Sequence, residues 1–270
     1  MSVLDQEYAH LRLEESDGVL VVRLDRAEQL NAVNGPLHTD LTRLLAALRS
    51  ETSFGAIVLT GAGRAFCAGG DAAWFAQAEP SDVERIFVEA RSMVLDLLEI
   101  GPPVIAAVNG PAVGLGATLA LLCDVVVVDE EASFSDPHVL MGVVAGDGGA
   151  AIWPALVGVN RAKQYLLTGD HLDAAEAERI GLVNAVVPAG ASLDAAGQWA
   201  RRLARGPRRA IEGTKRSINQ VLRMHVSAAF ETSLALERES MSSGEHREAL
   251  EAFAEGREPD FSSLGDRPGG

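Results

Sequence analysis

The sequence predicts an α/β fold with a largely parallel sheet, followed by a helical C-terminal region. Three observations predict it. Residues 56–60, 104–108 and 125–128 are short, almost wholly apolar runs, the pattern of strands buried on both faces. Helix-period text lies between them, so strands and helices alternate along the chain. After Pro188 the strand signals stop, and residues 192–256 are rich in Ala, Leu, Glu and Arg. The division is placed at residue 195, with 1–195 as the α/β core and 196–270 as a helical tail.

The elements follow in order. Residues 19–24 form a strand entered through Asp17-Gly18. Asn34-Gly35-Pro36 opens a helix with Leu37, Leu41, Leu44, Leu45 and Leu48 on one face. The strand at 56–60 runs into a glycine-bearing loop, 61–71. Ser81 and Glu84 have capping-box spacing for a helix with the stripe Val83, Phe87, Ala90, Val94, Leu97 and Leu98, which Gly101-Pro102-Pro103 stops. The strand at 104–108 leads to a second glycine loop, 109–116, then a short helix to Leu122 and the strand at 125–128. Asp129, Glu130 and Glu131 read as a solvated acidic turn. Asp147-Gly148-Gly149 opens a helix to Val157. Asp173 and Glu176 give a second capping box, for a short helix ended by Gly181. No long-period repeat recurs, and residues 261–270 read as frayed.

Composition narrows the function classes. Of 270 residues, 47% are hydrophobic and 23% charged, which are globular values. Lys+Arg is 23 and Asp+Glu 38, a net charge of −15, which leaves no electrostatic footprint for nucleic acid or an anionic membrane. Two cysteines, Cys67 and Cys123, cannot build a disulfide scaffold, so a reduced, cytoplasmic protein is expected. The first twelve residues carry charges and no apolar run, unlike a signal peptide. The apolar stretch 104–128 is broken by Asn109, Gly110, Pro111, Gly114, Gly116 and Asp124, so it does not read as a membrane span.

Both glycine loops leave the C-terminal ends of buried strands, where α/β folds place ligands. Neither is a dinucleotide fingerprint or a P-loop. Two tight turns are one reading; a pair of loops offering backbone amides, as in an oxyanion hole, is the other. The six histidines show no i, i+4 pair, so no metal site is expected. No Gly-x-Ser-x-Gly elbow is present, and Cys67 reads as a small apolar filler.

Several motifs in order carry a resemblance. They are Arg26 with Leu30-Asn31-Ala32, then Ala65-Phe66-Cys67-Ala68-Gly69-Gly70-Asp71, then Pro103 through Gly110, Cys123-Asp124, and Leu167-Thr168-Gly169-Asp170. Together they resemble the crotonase superfamily, the enoyl-CoA hydratase/isomerase family, from about residue 10 to residue 262. The resemblance implies a spiral of ββα units with a helical C-terminal trimerisation region, assembled as a homotrimer or homohexamer. It implies an acyl-CoA thioester substrate, with no cofactor beyond the coenzyme A that the substrate carries. Carried over by motif, the oxyanion donors are the backbone N–H groups of Gly70 and Leu115. Substrate contacts are expected from Arg26, Asn31, Ala32, Ala68, Gly70, Asp71, Ala72, Trp74, Leu115 and Thr118.

The chain departs from the family at the acid/base positions. Thr118 and His138 stand where hydratases of the family carry two glutamates, which implies weak hydration. The remaining acid/base candidates are His138 and Asp147, a spacing that resembles family members opening carbon–carbon bonds in β-diketones. Asp147 would orient the imidazole, while Asp136 is expected to point elsewhere along an extended segment. Trp74, Phe75 and Trp153 are candidates for either an acyl pocket or core packing. Phe253, Arg257 and Phe261 match the C-terminal pattern that approaches CoA, with Gly256 where the family has lysine. The expected function is thioester-enolate chemistry, as isomerisation, C–C hydrolysis or a weak addition. The alternative is a catalytically silent acyl-CoA-binding protein on the same fold.

Overall fold

A computed structural model describes residues 2–264. The first hairpin pairs β1 (Leu11–Ser16) with β2 (Val19–Leu24) antiparallel through Asp17-Gly18. Both turn residues have positive φ, the backbone of the tight hairpin turn that matches strand twist. The sequence reading passed over β1 because only Leu11 among its residues is buried. Next come α1 (Gly35–Leu48), capped by the Asn34 side chain accepting from Leu37 N–H at 3.0 Å, and β3 (Ala56–Gly61).

Two helices separate β3 from β4 (Val104–Val108): short α2 (Ala72–Phe75), and α3 (Pro80–Glu99). The expected Ser81–Glu84 box does not form. Proline is tolerated in the first turn of a helix, and α3 begins at Pro80 with Glu79 as an unbonded N-cap. β5 (Ala112–Val113), α4 (Leu115–Leu121), β6 (Val125–Asp129) and β7 (Ser133–Ser135) follow. Then come α5 (Gly149–Val157), α6 (Val159–Thr168), β8 (Leu172–Asp173), α7 (Ala174–Arg179) and β9 (Ala185–Val187). The C-terminal helices are α8 (Ser192–Ala204), α9 (Arg208–Ser240) and α10 (Gly244–Glu255). A 3-10 turn at Phe261–Leu264 replaces the frayed start expected there; residues 265–270 lie outside the described residues.

The main sheet has the order β1-β2-β3-β4-β6-β9, parallel from β2 onward, and a small sheet β5-β7-β8 stands beside it. Alternation splits each buried strand between two cores. Leu20, Val22, Ile57, Leu59, Ala106 and Val126 face the α1 and α3 side. Val19, Ala56, Val58, Ile105, Ala107 and Val127 face α8, through Ala196 and Ala200. Burial on both faces is why these strands carry no polar alternation.

The helical stretch that opens at Ser192 is therefore of two kinds, since α8 covers the sheet while α9 packs along α5 and α3. On α9, Phe230 and Leu234 are buried in the chain's own core, whereas Ile218, Val221 and Met224 remain exposed. Of the acidic run, Glu130 and Glu131 form an exposed turn as expected, but Asp129 ends β6 and is buried. Asp129 is 4% exposed, and its carboxylate accepts the Ser192 N–H at 2.8 Å, fixing the start of α8. No helix among the described residues is long and apolar enough to cross a membrane.

Candidate active site

The two glycine loops meet above the C-terminal ends of β3 and β4. Val113 N–H donates to the Cys67 carbonyl at 2.9 Å, and Cys67 pairs with Ala112 in an isolated bridge. The first loop is held from the other side by Val33, whose N–H donates to the Gly69 carbonyl at 2.7 Å and whose carbonyl accepts from Asp71 N–H at 3.1 Å. These bonds flank Gly70 and leave its own N–H out of the pairing. Gly70 is exposed, and Phe75 packs over its α-carbon.

Asp71 caps α2 by accepting Trp74 N–H at 3.1 Å, and its other oxygen accepts from Arg26 at 3.0 Å. A second Arg26 nitrogen donates to the Ala32 carbonyl. The Arg26 guanidinium is thus engaged in tying the two loop segments together. Ala68 N–H donates to the Leu30 carbonyl at 3.0 Å, so the 26–32 segment and the glycine loop form one body. Asn31 is fully buried, and its amide donates to the Ala62 and Ala65 carbonyls at 2.9 and 2.8 Å. Its side chain supports the loop and has no open face for a ligand. Ala32, Ala68, Ala72 and Trp74 are half-buried along the same loop edge. Cys67 is buried, and burial pushes its thiol up to about 12, consistent with a filler and not a nucleophile.

Leu115 is the first residue of α4, so its N–H has no acceptor within the helix. The turn before it requires glycine, because Gly114 has φ +52° and a Cβ there would sit 3.3 Å from Cε1 of His138. The imidazole therefore packs on the same turn that presents the Leu115 N–H. Thr118, on the next turn of α4, reaches toward Asp147 at 3.5 Å.

His138 lies in a 3-10 turn, Pro137–Met141, and not in an extended segment. That conformation overturns the expectation for Asp136, which turns back and contacts Nδ1 of His138. Nε2 faces Asp147 Oδ2 at 3.6 Å and Glu237 Oε1 at 3.7 Å, both beyond hydrogen-bond reach. Asp147 does not cap α5; Gly148 holds that position. Glu237 comes from α9 and was not singled out from the sequence. The available signal was an acidic residue on the buried stripe of Val226, Phe230, Ser233 and Leu234.

Burial alone would strip the charge from His138, but the carboxylates of Asp136, Asp147 and Glu237 reverse this and hold its pKa well above the ordinary imidazole value. Burial raises the Asp147 carboxyl despite the opposing pull of His138. Burial and the neighbouring Asp147 push Glu237 up to about 8. Three carboxyls crowded around one imidazole thus disfavour full ionisation of the Asp147–Glu237 pair. Oδ2 of Asp136 and Oε2 of Glu237 are buried without a protein partner. Asp136, His138 and Asp147 each place a donor atom within 4.8 Å of the others, so they could hold a cation. With Asp136 on one ring nitrogen and Asp147 facing the other, the ring is equally satisfied as an imidazolium.

The structure thus joins His138, Asp147, Thr118 and the Gly114-Leu115 turn in one cluster, and Arg26, Asp71 and Gly70 in a second, linked by the Cys67–Ala112 bridge. Trp153 stands apart, fully buried against Tyr165 in the core. Phe253 is exposed on α10, and Arg257 is paired with Glu248 and Glu255. Gly256 has φ +67° at the end of α10, a conformation that disfavours lysine.

A family model described as "Enoyl-CoA hydratase/isomerase" matches residues 14–264. A "Probable enoyl-CoA hydratase" of Rhodobacter capsulatus is 38% identical over 94% of this chain and 98% of its own. A crystal structure of an enoyl-CoA hydratase/isomerase from Mycobacterium paratuberculosis superposes with a TM-score of 0.86 at 36% identity, covering 90% of this chain and 97% of that one. A monofunctional enoyl-CoA isomerase from M. smegmatis superposes with a TM-score of 0.68 at 35% identity, covering 79% and 94%.

Proposed function

The chain belongs to the enoyl-CoA hydratase/isomerase family, and on that premise we propose that its acyl-CoA chemistry is run by an oxyanion hole of Gly70 and Leu115 with a His138–Asp147 proton-transfer element. It is an enzyme of the lyase/isomerase class that processes acyl-CoA. The observation that carries the reading is the contact of His138 with Gly114, which puts the acid/base cluster on the turn that offers the Leu115 N–H. A thioester oxygen held there develops negative charge when the α-carbon is enolised, and preorganised N–H donors stabilise that charge.

The roles within the dyad divide by charge. His138, held as an imidazolium, is a donor and an electrostatic anchor for developing negative charge. Asp147, raised toward neutrality, is the better-placed base. Isomerisation and C–C bond hydrolysis need this enolate, and so does hydration. Thr118 and His138 supply no carboxylate pair at the hydratase positions, which supports poor crotonyl-CoA hydration. The exposed Ile218, Val221 and Met224 on α9 support assembly as a trimer or hexamer.

The test is the product formed from a panel of enoyl- and 3-oxoacyl-CoA esters, followed by mass spectrometry. Turnover of at least one ester, lost in His138→Gln, is expected. Binding of every ester with no product would favour a silent acyl-CoA binder. No rise in Tm with any ester would overturn the CoA site itself.

A further inference from the structure

Two carboxyls flank the His138 ring at opposite nitrogens, and only one of them holds it. Asp147 Oδ2 stands 3.6 Å from Nε2, beyond hydrogen-bond reach. Asp136 Oδ1 is in direct contact with Nδ1. Asp136 follows β7, immediately before Pro137 opens the 3-10 turn that carries the ring, and its side chain is wholly buried. Its other oxygen, Oδ2, lies against Gly149, the first residue of α5, where a Cβ would come within 2.1 Å of it. Only glycine leaves room for the carboxyl at that point. The start of α5 thus closes over Asp136 from behind, and Oδ2 is buried with no protein partner. A carboxyl taken out of water is costly unless it is paired, and the partner of this one is the imidazole.

We infer that Asp136, and not Asp147, is the positioning residue of the site: its contact with Nδ1 fixes the plane of the His138 ring and commits that nitrogen, so that Nε2 is the one left to work. This rests on the reading that His138 takes part in proton transfer beside the Leu115 N–H. A histidine ring turns about its side-chain bonds unless something holds it, and a carboxylate at one ring nitrogen both orients the ring and fixes where its proton sits. Here Nδ1–H donates to Asp136. Nε2 then faces Asp147 and Glu237 at 3.6 and 3.7 Å, with a hydrogen bond to neither. Cε1, between the two nitrogens, packs on the Gly114 turn, 3.3 Å from where a Cβ would stand. The contact that ties the imidazole to the oxyanion turn is therefore set from the far side of the ring by Asp136, which touches no substrate itself. The orienting role expected of Asp147 passes to Asp136, and Asp147 keeps its part as the base. The division suits the chemistry, because an orienting carboxylate must keep its hydrogen bond through the cycle while a base must give up its position to a proton.

The experiment has one readout that needs no substrate. A proton held between imidazole Nδ1 and a carboxylate gives a low-field proton NMR signal, and His38 Nδ1, 2.7 Å from Glu89 Oε2, supplies a second such signal as an internal reference. The His138 signal, identified by its loss in His138→Gln, is expected to leave the low-field region in Asp136→Asn and to persist in Asp147→Asn. The second readout is turnover of the best ester from the panel above. Asp136→Asn is expected to lower kcat by about 100-fold, the effect of a displaced reacting group, while KM stays within threefold. Gly149→Ala must push Oδ2 aside, so it should weaken the same signal and lower kcat in the same way, and it carries the test if circular dichroism shows Asp136→Asn to be unfolded. A signal kept in Asp136→Asn and lost in Asp147→Asn would overturn the assignment and make Asp147 the orienting group. Wild-type kcat in a folded Asp136→Asn would overturn it as well. Wild-type turnover in His138→Gln would instead overturn the proton-transfer reading, and the NMR comparison would still decide which carboxyl holds the ring.

Discussion

Gly146 lies so close under α9 that a Cβ at that position would come within 2.5 Å of the Cβ of Glu237. The backbone carbonyl of Ser233 is closer still, at 2.4 Å, and it cannot swing away as a side chain could. Gly146→Ala must therefore lift the helix or distort the loop. The expected cost is about 1–3 kcal/mol of stability, as for other overpacked sites. Chemical denaturation measures it, and turnover should fall with it because Asp147 follows in the same loop. An alanine variant as stable as wild type would show that α9 yields freely.

Proton binding in the cluster makes stability fall with rising pH. Glu237 keeps its proton up to about 8 in the folded chain, against ~4.3 when unfolded. Between those values the folded state binds more protons, so raising the pH favours unfolding. His138 acts in the same direction. Its folded pKa is raised, so its stabilising charge is fully present below ~6.5 and is lost as pH rises through the higher folded value. Glu237→Gln should flatten the Tm-versus-pH curve and raise Tm relative to wild type above about pH 8. Parallel curves for the two proteins would contradict this.

His138 and Asp147 should behave as one unit. His138→Gln and Asp147→Asn are each expected to cost ~10²–10⁴-fold in turnover. The double variant should be little worse than the weaker single one, because the first substitution already disables the element. Multiplying losses would mean that the two residues work independently.

Arg26 and Asp71 should act through position. Asp71→Asn frees the guanidinium and weakens the α2 cap, letting the Gly70 N–H drift. A displacement of that kind is worth ~10²-fold in kcat/KM. Arg26→Gln should give a similar loss, and the pair should be non-additive in a double-mutant cycle. If Arg26→Gln weakens CoA affinity while Asp71→Asn does nothing, Arg26 touches the cofactor portion of the substrate directly.

The exposed apolar row on α9 should be buried in an assembly. Light scattering is expected to report a trimer or hexamer, and Met224→Glu should shift it toward smaller species. A wild-type monomer at micromolar concentration would count against this use of the helix.

Much of the frame was legible because parallel strands buried on both faces cannot hide: 56–60, 104–108 and 125–128 have no polar alternation to confuse the reading. The edge strand β1 was missed for the opposite reason, since a mostly exposed strand needs no apolar pattern. In the site, His138 and Asp147 were visible through the family resemblance, which puts His138 at an acid/base position with Asp147 at a similar spacing beyond it. Asp136 was misjudged because residues two apart share a face even in an extended segment, and from its place just before the Pro137 turn its carboxylate reaches Nδ1 of His138. Asp129 looked like surface charge, but its partner, the Ser192 N–H, is distant in sequence. Glu237 was hidden for the same reason: its meaning depends on which loop α9 crosses, and one acidic residue among many on a long helix does not announce that.

The turn that carries His138 is also gripped by the C-terminal helices. Ser240 on α9 accepts the Val144 N–H, and the imidazole of His246 on α10 contacts the Met141 carbonyl at 2.8 Å. A ribosome makes these anchors last. During synthesis the strands and both glycine loops emerge well before the helices that fasten residues 138–147, so the shape of that segment is completed last.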